Sequence, residues 1–189
     1  AGGFASLIGT LADGTKFSCK TPISALGQWP VYASPPGAAV ISWMTFADRP
    51  TDDITGLLSW VKTAQPKSKY YRNGFTNETL AVGSSFIRPT DPNATLLELS
   101  DTTVAFSGGN LTGSFSNDIS WGPKNKITNF SDNKLTLAVN PSTGLFTGSV
   151  TAPDGGKSSK FSGALLQKAN RGSGFLLGTN LSSLVVVGE

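Results

Sequence analysis

The hexapeptide Thr15–Lys20, "TKFSCK", sets Phe17 and Cys19 on one side and Lys16, Ser18 and Lys20 on the other. That is the period-2 alternation of a half-buried β-strand. The same alternation returns in "KLTLAV" (134–139), with Leu135, Leu137 and Val139 against Thr136 and Ala138. Working outward, strand-length clusters of apolar residues predict further strands at 4–11, 38–46, 55–62, 79–86, 95–99, 102–106, 110–115, 118–121, 145–151, 160–167, 173–178 and 182–187. Turn-forming text separates them: "ADGT", "SPPG", "SGGN", "GPKNK", "NPSTG", "PDGG" and "NRGSG". No window of helical length keeps an i, i+3, i+4, i+7 apolar pattern without meeting Gly, Pro or a β-branched cluster. The chain reads as all-β, with at most one helical turn.

The 189 residues fit one domain, 1–189, long enough to bury a sizeable core. Charged residues make up only 14%, well below the usual share, and Gly, Ser, Thr and Asn fill the gap, which favours short strands, tight turns and a hydroxyl-rich surface. A weak internal repeat relates 3–46 to 144–187: "GTLADGTKFS" (9–18) resembles "GSVTAPDGGKSSKFS" (148–162), and a short apolar strand follows in both copies. The expectation is an antiparallel β-barrel or barrel-like sandwich of roughly ten to fourteen strands. Its N- and C-terminal halves would be pseudo-twofold related, with the terminal strands pairing to close the sheet.

Much chemistry is excluded. There is no histidine, which removes Ser-His-Asp and Cys-His nucleophile pairs and every histidine-bearing metal site. The lone Cys19 forms no intrachain disulfide and no thiolate cluster, and its place in the alternation predicts a buried, inert thiol. Phosphate-cradling motifs are missing. The net charge of +3 is scattered, with only a loose group at Lys62, Lys67, Lys69 and Arg72, read as a solvated loop; nucleic acid is not an expected partner. No run approaches the roughly 18 apolar residues of a membrane span. Two carboxylates are enough for a glycosidase, and Glu98 with Asp118 is the best pair available for one. A calcium site is suggested by Asp48, Asp52 and Asp53 in "ADRPTDD" (47–53), whose hard oxygens are suitable ligands, though the spacing is not that of an EF-hand loop. The other acids, including Asp13, Asp91, Asp132 and Asp154, sit in turn text where capping is their ordinary task.

The aromatic residues are the remaining resource. In "LGQWPVYASPPGAAVISWMTF" (26–46) alternation puts Trp29 and Tyr32 on opposite sides, so one belongs to the core and the other faces solvent. Trp43 alternates with Ile41, and Trp60 sits with Leu58 in "TGLLSWVK"; both read as core wedges. Tyr70, Tyr71 and Arg72 in "SKYYRNGF", and Trp121 before a Gly-Pro turn, read as exposed. Aromatic faces with a polar rim suit sugars, whose C–H faces are apolar and whose edges are polar.

The segments "GQWPVYASPPGAAVISWMTF", "TGLLSWVK" and "NPSTGLFTGSVTAPDGGKSSKFSGALLQKANRGSGFLLGTNLSSLVVV" resemble an uncharacterised β-rich domain found near the C-termini of large secreted bacterial proteins. The resemblance covers nearly the whole chain. It implies an extracellular accessory module without catalytic residues, and it departs at "SPPGAAV", where a glycine-richer turn is expected. Taken together, the expected function is non-catalytic binding of carbohydrate or cell-surface glycan through Trp29 or Tyr32, Tyr70, Tyr71, Arg72 and Trp121. The expected location is secreted or cell-surface, and calcium is the only cofactor that the residues suggest. The alternative is a structural, anchoring or self-assembling domain, partnered by other copies or by domains of its parent protein through the terminal strands, above all "SSLVVVG" (182–188).

Overall fold

In the computed structural model, which describes residues 3–188, 53% of the described residues are strand and 2% helix. Its strands are β1 (Phe4–Thr10), β2 (Lys16–Pro22), β3 (Gln28–Ala33), β4 (Ala38–Phe46), β5 (Ile54–Lys62), β6 (Phe75–Gly83) and β7 (Asp101–Ser107). Then come β8 (Phe115–Gly122), β9 (Lys126–Asn129), β10 (Leu135–Val139), β11 (Leu145–Val150), β12 (Ser159–Leu166), β13 (Arg171–Leu177) and β14 (Ser182–Val187). A single 3-10 turn, Pro123–Asn125, is the helical content. No helix among the described residues is long and apolar enough to cross a membrane.

Where the sequence reads as one domain, the chain divides into two compact units, Ala1–Ser84 and Ser85–Glu189. In the first, β3-β4-β5-β6 form a four-stranded antiparallel sheet and β1-β2 a separate hairpin. Leu11, Ala33, Val40 and Trp60 are buried in one cluster, and Trp29, Val31 and Met44 in a second, with Leu7, Phe17 and Cys19 of the hairpin packed against them. Cys19 is thus half-buried. The hairpin is pinned to the sheet by an ion pair: Asp13, in the β1–β2 turn, accepts from Lys62 Nζ at 2.5 Å, and both side chains are buried. Lys62 is therefore no part of a solvated basic loop.

In the second unit the sheet order is β10-β11-β12-β13-β14-β7-β8-β9, antiparallel throughout and curled into a nearly closed barrel. Its interior is one cluster that includes Val104, Phe106, Ile119, Trp121, Phe146, Phe161, Leu176 and Val185. Glycines inside the strands make room for the rings. Phe146 pairs with Gly163 and Phe161 with Gly148, and a Cβ on either glycine would stand 2.3 Å from the facing ring. Where β9 and β10 come together the seam is filled by amides. Fully buried Asn117 donates to Asn129 and Asn133, and Asn133 in turn donates to Asn117 Oδ1 and to the Thr151 carbonyl. Each amide finds partners, as a buried polar network requires.

The strands differ from expectation in informative places. Residues 95–99 and 110–115 do not form ladders before β8 begins at Phe115. Leu96 and Leu97 are core residues, but side chains satisfy this loop's backbone: Leu96 N–H donates to Asn125 Oδ1 and Glu98 N–H to Asn170 Oδ1, each at 2.7 Å. Asn110 acts similarly, its Oδ1 accepting from the N–H groups of Asn180 and Leu181. The terminal strands do not pair with each other. β1 pairs with β2, while β14 lies between β13 and β7. The two arms of the sequence repeat are also built differently, as two hairpins in 3–46 and as a continuous four-strand meander from β11 to β14.

Candidate functional site

In β4 the parity is the reverse of what hydropathy suggests. Val40, Ser42 and Met44 face inward, and Ile41 and Trp43 face out. Ser42 can lie inside because its hydroxyl donates to the Leu57 carbonyl at 2.8 Å, which satisfies the polar group in place. Trp43, expected in the core, is therefore 65% exposed. Trp29 and Tyr32 divide as alternation requires: Trp29 is buried and stacked on Phe46, with ring centroids 5.8 Å apart, and Tyr32 is 58% exposed. Trp60 is core, as expected.

Cross-strand register assembles the outward residues of β3 to β6 into one surface. Pro30 pairs with Trp43, Tyr32 with Ile41, Ile41 with Ser59, Leu57 with Leu80 and Thr55 with Val82. Leu57 falls in the row of Trp43, between the pairs Ser42–Leu58 and Thr45–Thr55. Four strands at about 4.8 Å spacing make that row, Pro30–Trp43–Leu57–Leu80, roughly 14 Å wide. Tyr32, Ile41, Trp43, Leu57, Leu80 and Val82 are all exposed on this face. Tyr32 is the diagonal cross-strand neighbour of Trp43, a relation that sets residues about 7–8 Å apart, so the two rings share one platform. Hydroxyls of Thr45, Thr55 and Ser59 lie among the apolar groups, and Gln28 stands at the end of β3. The single formal charge on the face is Glu78, whose carboxylate accepts from the Ser59 hydroxyl at 2.7 Å. This aromatic surface, free of lysine and arginine and carrying the one carboxylate of Glu78, is the candidate site.

The other expected ligand residues are not on it. Trp121 is 3% exposed: it alternates with Ile119 on the interior of β8, and its indole N–H donates to Asn125 Oδ1 at 3.1 Å beneath the 3-10 turn. Tyr71 takes a left-handed backbone conformation (φ 53°) that turns its ring inward, edge-on to Trp60 and Phe75. Tyr70 is half-buried, with Lys69 Nζ 4.8 Å from its ring centroid. Arg72 is exposed, but its Nε donates to the Ser68 carbonyl, folding the loop on itself. The expected Tyr70-Tyr71-Arg72 display is therefore a structural loop end with one exposed cation.

Neither acid of the carboxylate pair is buried: Glu98 and Asp118 are both exposed. Asp48, Asp52 and Asp53 do not converge. Among the described residues no group of three or more His, Cys, Asp or Glu is placed to hold a metal ion, and Asp52 is engaged by Arg49 at 2.7 Å. The acid that stands apart is Asp13. Burial pushes its carboxyl up, but hydrogen bonds from Lys62 and from Thr15 outweigh this and hold it below its ordinary value. The terminal strand β14, expected as a donor to a neighbour, has partners on both sides and is not a free edge.

The outer face could have been found by testing both parities of β4 against β5 and accepting the one with Ser42 inside. No protein-family model matches the chain, and neither a curated protein nor a solved structure is significantly similar to it.

Proposed function

We propose that this protein is a non-catalytic binding module for uncharged polysaccharide, acting through the outer face of the β3–β6 sheet. The observation that carries the reading is Trp43, a large aromatic held open to solvent in the middle of a sheet face without lysine or arginine. Leaving such a ring exposed is a standing solubility liability, and contiguous apolar patches of this kind mark interaction sites. Sugar rings offer apolar C–H faces for Trp43 and Tyr32 and polar edges for Ser59, Thr45, Thr55 and Gln28. The lack of any lysine or arginine on the face argues against acidic glycans and nucleic acids, whose binding needs concentrated positive charge. A secreted or cell-surface location agrees with this reading and with the hydroxyl-rich, charge-poor sequence.

The test is a depletion assay against insoluble and immobilised neutral polysaccharides, at low and high salt. Saturable binding that persists in high salt and is lost in Trp43→Ala and weakened in Tyr32→Ala is the expected result. Binding that disappears with salt, or that survives loss of both rings, refutes the assignment of this face.

A further inference from the structure

We infer that the chain forms a reversible homodimer by antiparallel pairing of β6 with β6 of a second copy. The four-stranded sheet ends in β3 and β6, and only one of these edges is guarded. In β3, Pro30 lacks a donor, the Thr21 hydroxyl donates to the Pro30 carbonyl at 2.5 Å, and Ser24 N–H donates to the Gln28 carbonyl. Among the described residues β6 has none of these protections. It runs nine residues, Phe75 to Gly83, without proline, lysine or interior glycine, and Thr76 to Leu80 are exposed on both faces of the strand. Its one charge, Glu78, is bonded back to Ser59 on β5, inside the sheet. The free edge of the β1–β2 hairpin differs, because Lys16 and Lys20 lie across its ladder and Lys20 Nζ stands 5.7 Å from the Phe4 ring centroid. Lysine, proline and cover are the usual means of blunting an edge, and β6 contains neither lysine nor proline while its residues Thr76 to Leu80 are exposed.

The sequence of β6 favours a register for pairing with a second copy. Pairing about a twofold perpendicular to the sheet keeps the outward faces of both copies on the same side. With the twofold centred on Glu78, two carboxylates would stand opposite each other, which is unfavourable. With the twofold centred on Leu80, that residue meets its own copy and Glu78 lies opposite Val82. The apolar row Pro30–Trp43–Leu57–Leu80 then continues into its mirror sequence on the partner as one eight-stranded sheet. Such an interface is small, under about 1,200 Å², so the dimer exchanges with monomer. It places two Trp43 platforms side by side, and this holds whether or not the face binds glycan.

Sedimentation of the full chain over a concentration series, with hydrogen exchange at both ends of the series, tests this. The expected result is a monomer–dimer equilibrium in which alternate amides of 76–82, those that face away from β5, gain protection on dimerisation. Leu80→Lys, at an exposed position, should raise the dissociation constant by roughly tenfold or more. In a Cys19→Ser background, Leu80→Cys should form a disulfide-linked dimer on mild oxidation, and Thr76→Cys should not. A chain that stays monomeric at every concentration, or a dimer indifferent to Leu80→Lys, overturns the proposal. So does protection of β6 that appears only when a foreign strand or a polysaccharide is added, which would assign the edge to that occupant.

Discussion

The eight-stranded sheet of the second unit and the four-stranded sheet of the first are both antiparallel, and both carry apolar residues at alternate positions. They differ in what the alternation encloses. The larger sheet curls until its inward side chains meet each other, so that Phe106, Phe146 and Phe161 share one interior and the seam is sealed by Asn117, Asn129 and Asn133. The smaller sheet stays open, and its inner face is covered by the β1–β2 hairpin. Its outer face is apolar too and, among the described residues, has no partner within the unit. A closed sheet spends its hydrophobic surface on stability, whereas an open one with two apolar faces retains one for a ligand or a second sheet.

The largest expected effect is on the closed sheet. Phe146→Ala removes a buried ring that packs over Gly163 and Gly172 and leaves a cavity in the barrel interior. We expect a loss of about 4 kcal/mol, read by denaturant titration of the parent and variant. Gly163→Ala approaches the same contact from the other side, since its Cβ would meet the ring and the Ser173 carbonyl at 2.3 Å. It should cost about 1–3 kcal/mol. A tolerated alanine at Gly163 would mean that the barrel interior is loosely packed and that the contrast between the sheets is false.

Next comes the hairpin of the open sheet. Asp13→Ala leaves Lys62 buried without its counter-charge, and breaking a buried pair from one side costs about 3 kcal/mol. Adding Lys62→Met should recover most of that loss, because an apolar chain of similar volume replaces the cation. The ion pair also has a pH signature. The folded carboxyl titrates below its unfolded value, so its contribution is complete above about pH 4 and is lost as pH falls through the folded value. The stability gap between parent and Asp13→Ala should therefore be flat from neutral pH down to about pH 5 and should narrow in acid. A gap that widens in acid would show that Asp13 is not held as the carboxylate.

Most ladders were legible in sequence because alternation is local: β2, β4, β10 and β14 fall where the pattern predicts them. What was not legible depends on distant partners. Leu96 and Leu97 look like a strand, but whether they pair with a ladder or hang on Asn125 and Asn170 is decided some 30 and 70 residues away. The Asp13–Lys62 pair joins residues 49 positions apart, and each alone reads as a turn acid and a surface base. The tryptophans mark the same limit at the site. In β4, hydropathy alone turns Ile41 and Trp43 inward, and only the Leu57 carbonyl that receives Ser42 shows why the polar residue wins the interior. In β8, Trp121 beside a Gly-Pro turn reads as a surface ring until Asn125 folds over it.

The smallest expected stability effect is the most discriminating. Trp43 and Trp121 are the same residue type on antiparallel strands, one on the outside of an open sheet and one inside a closed one. Trp121→Ala should cost about 3–5 kcal/mol. Trp43→Ala should change stability by about 0.5 kcal/mol or less, and even raise solubility, since the ring contributes little to its own unit's packing. Equal losses at the two sites, measured on monomeric protein, would mean that the outer face is already covered and that the open sheet has no ligand surface to offer. A negligible loss at Trp43 leaves its exposure without a folding rationale. Selection for contact with something outside the monomer then becomes the remaining physical reason for placing a tryptophan there.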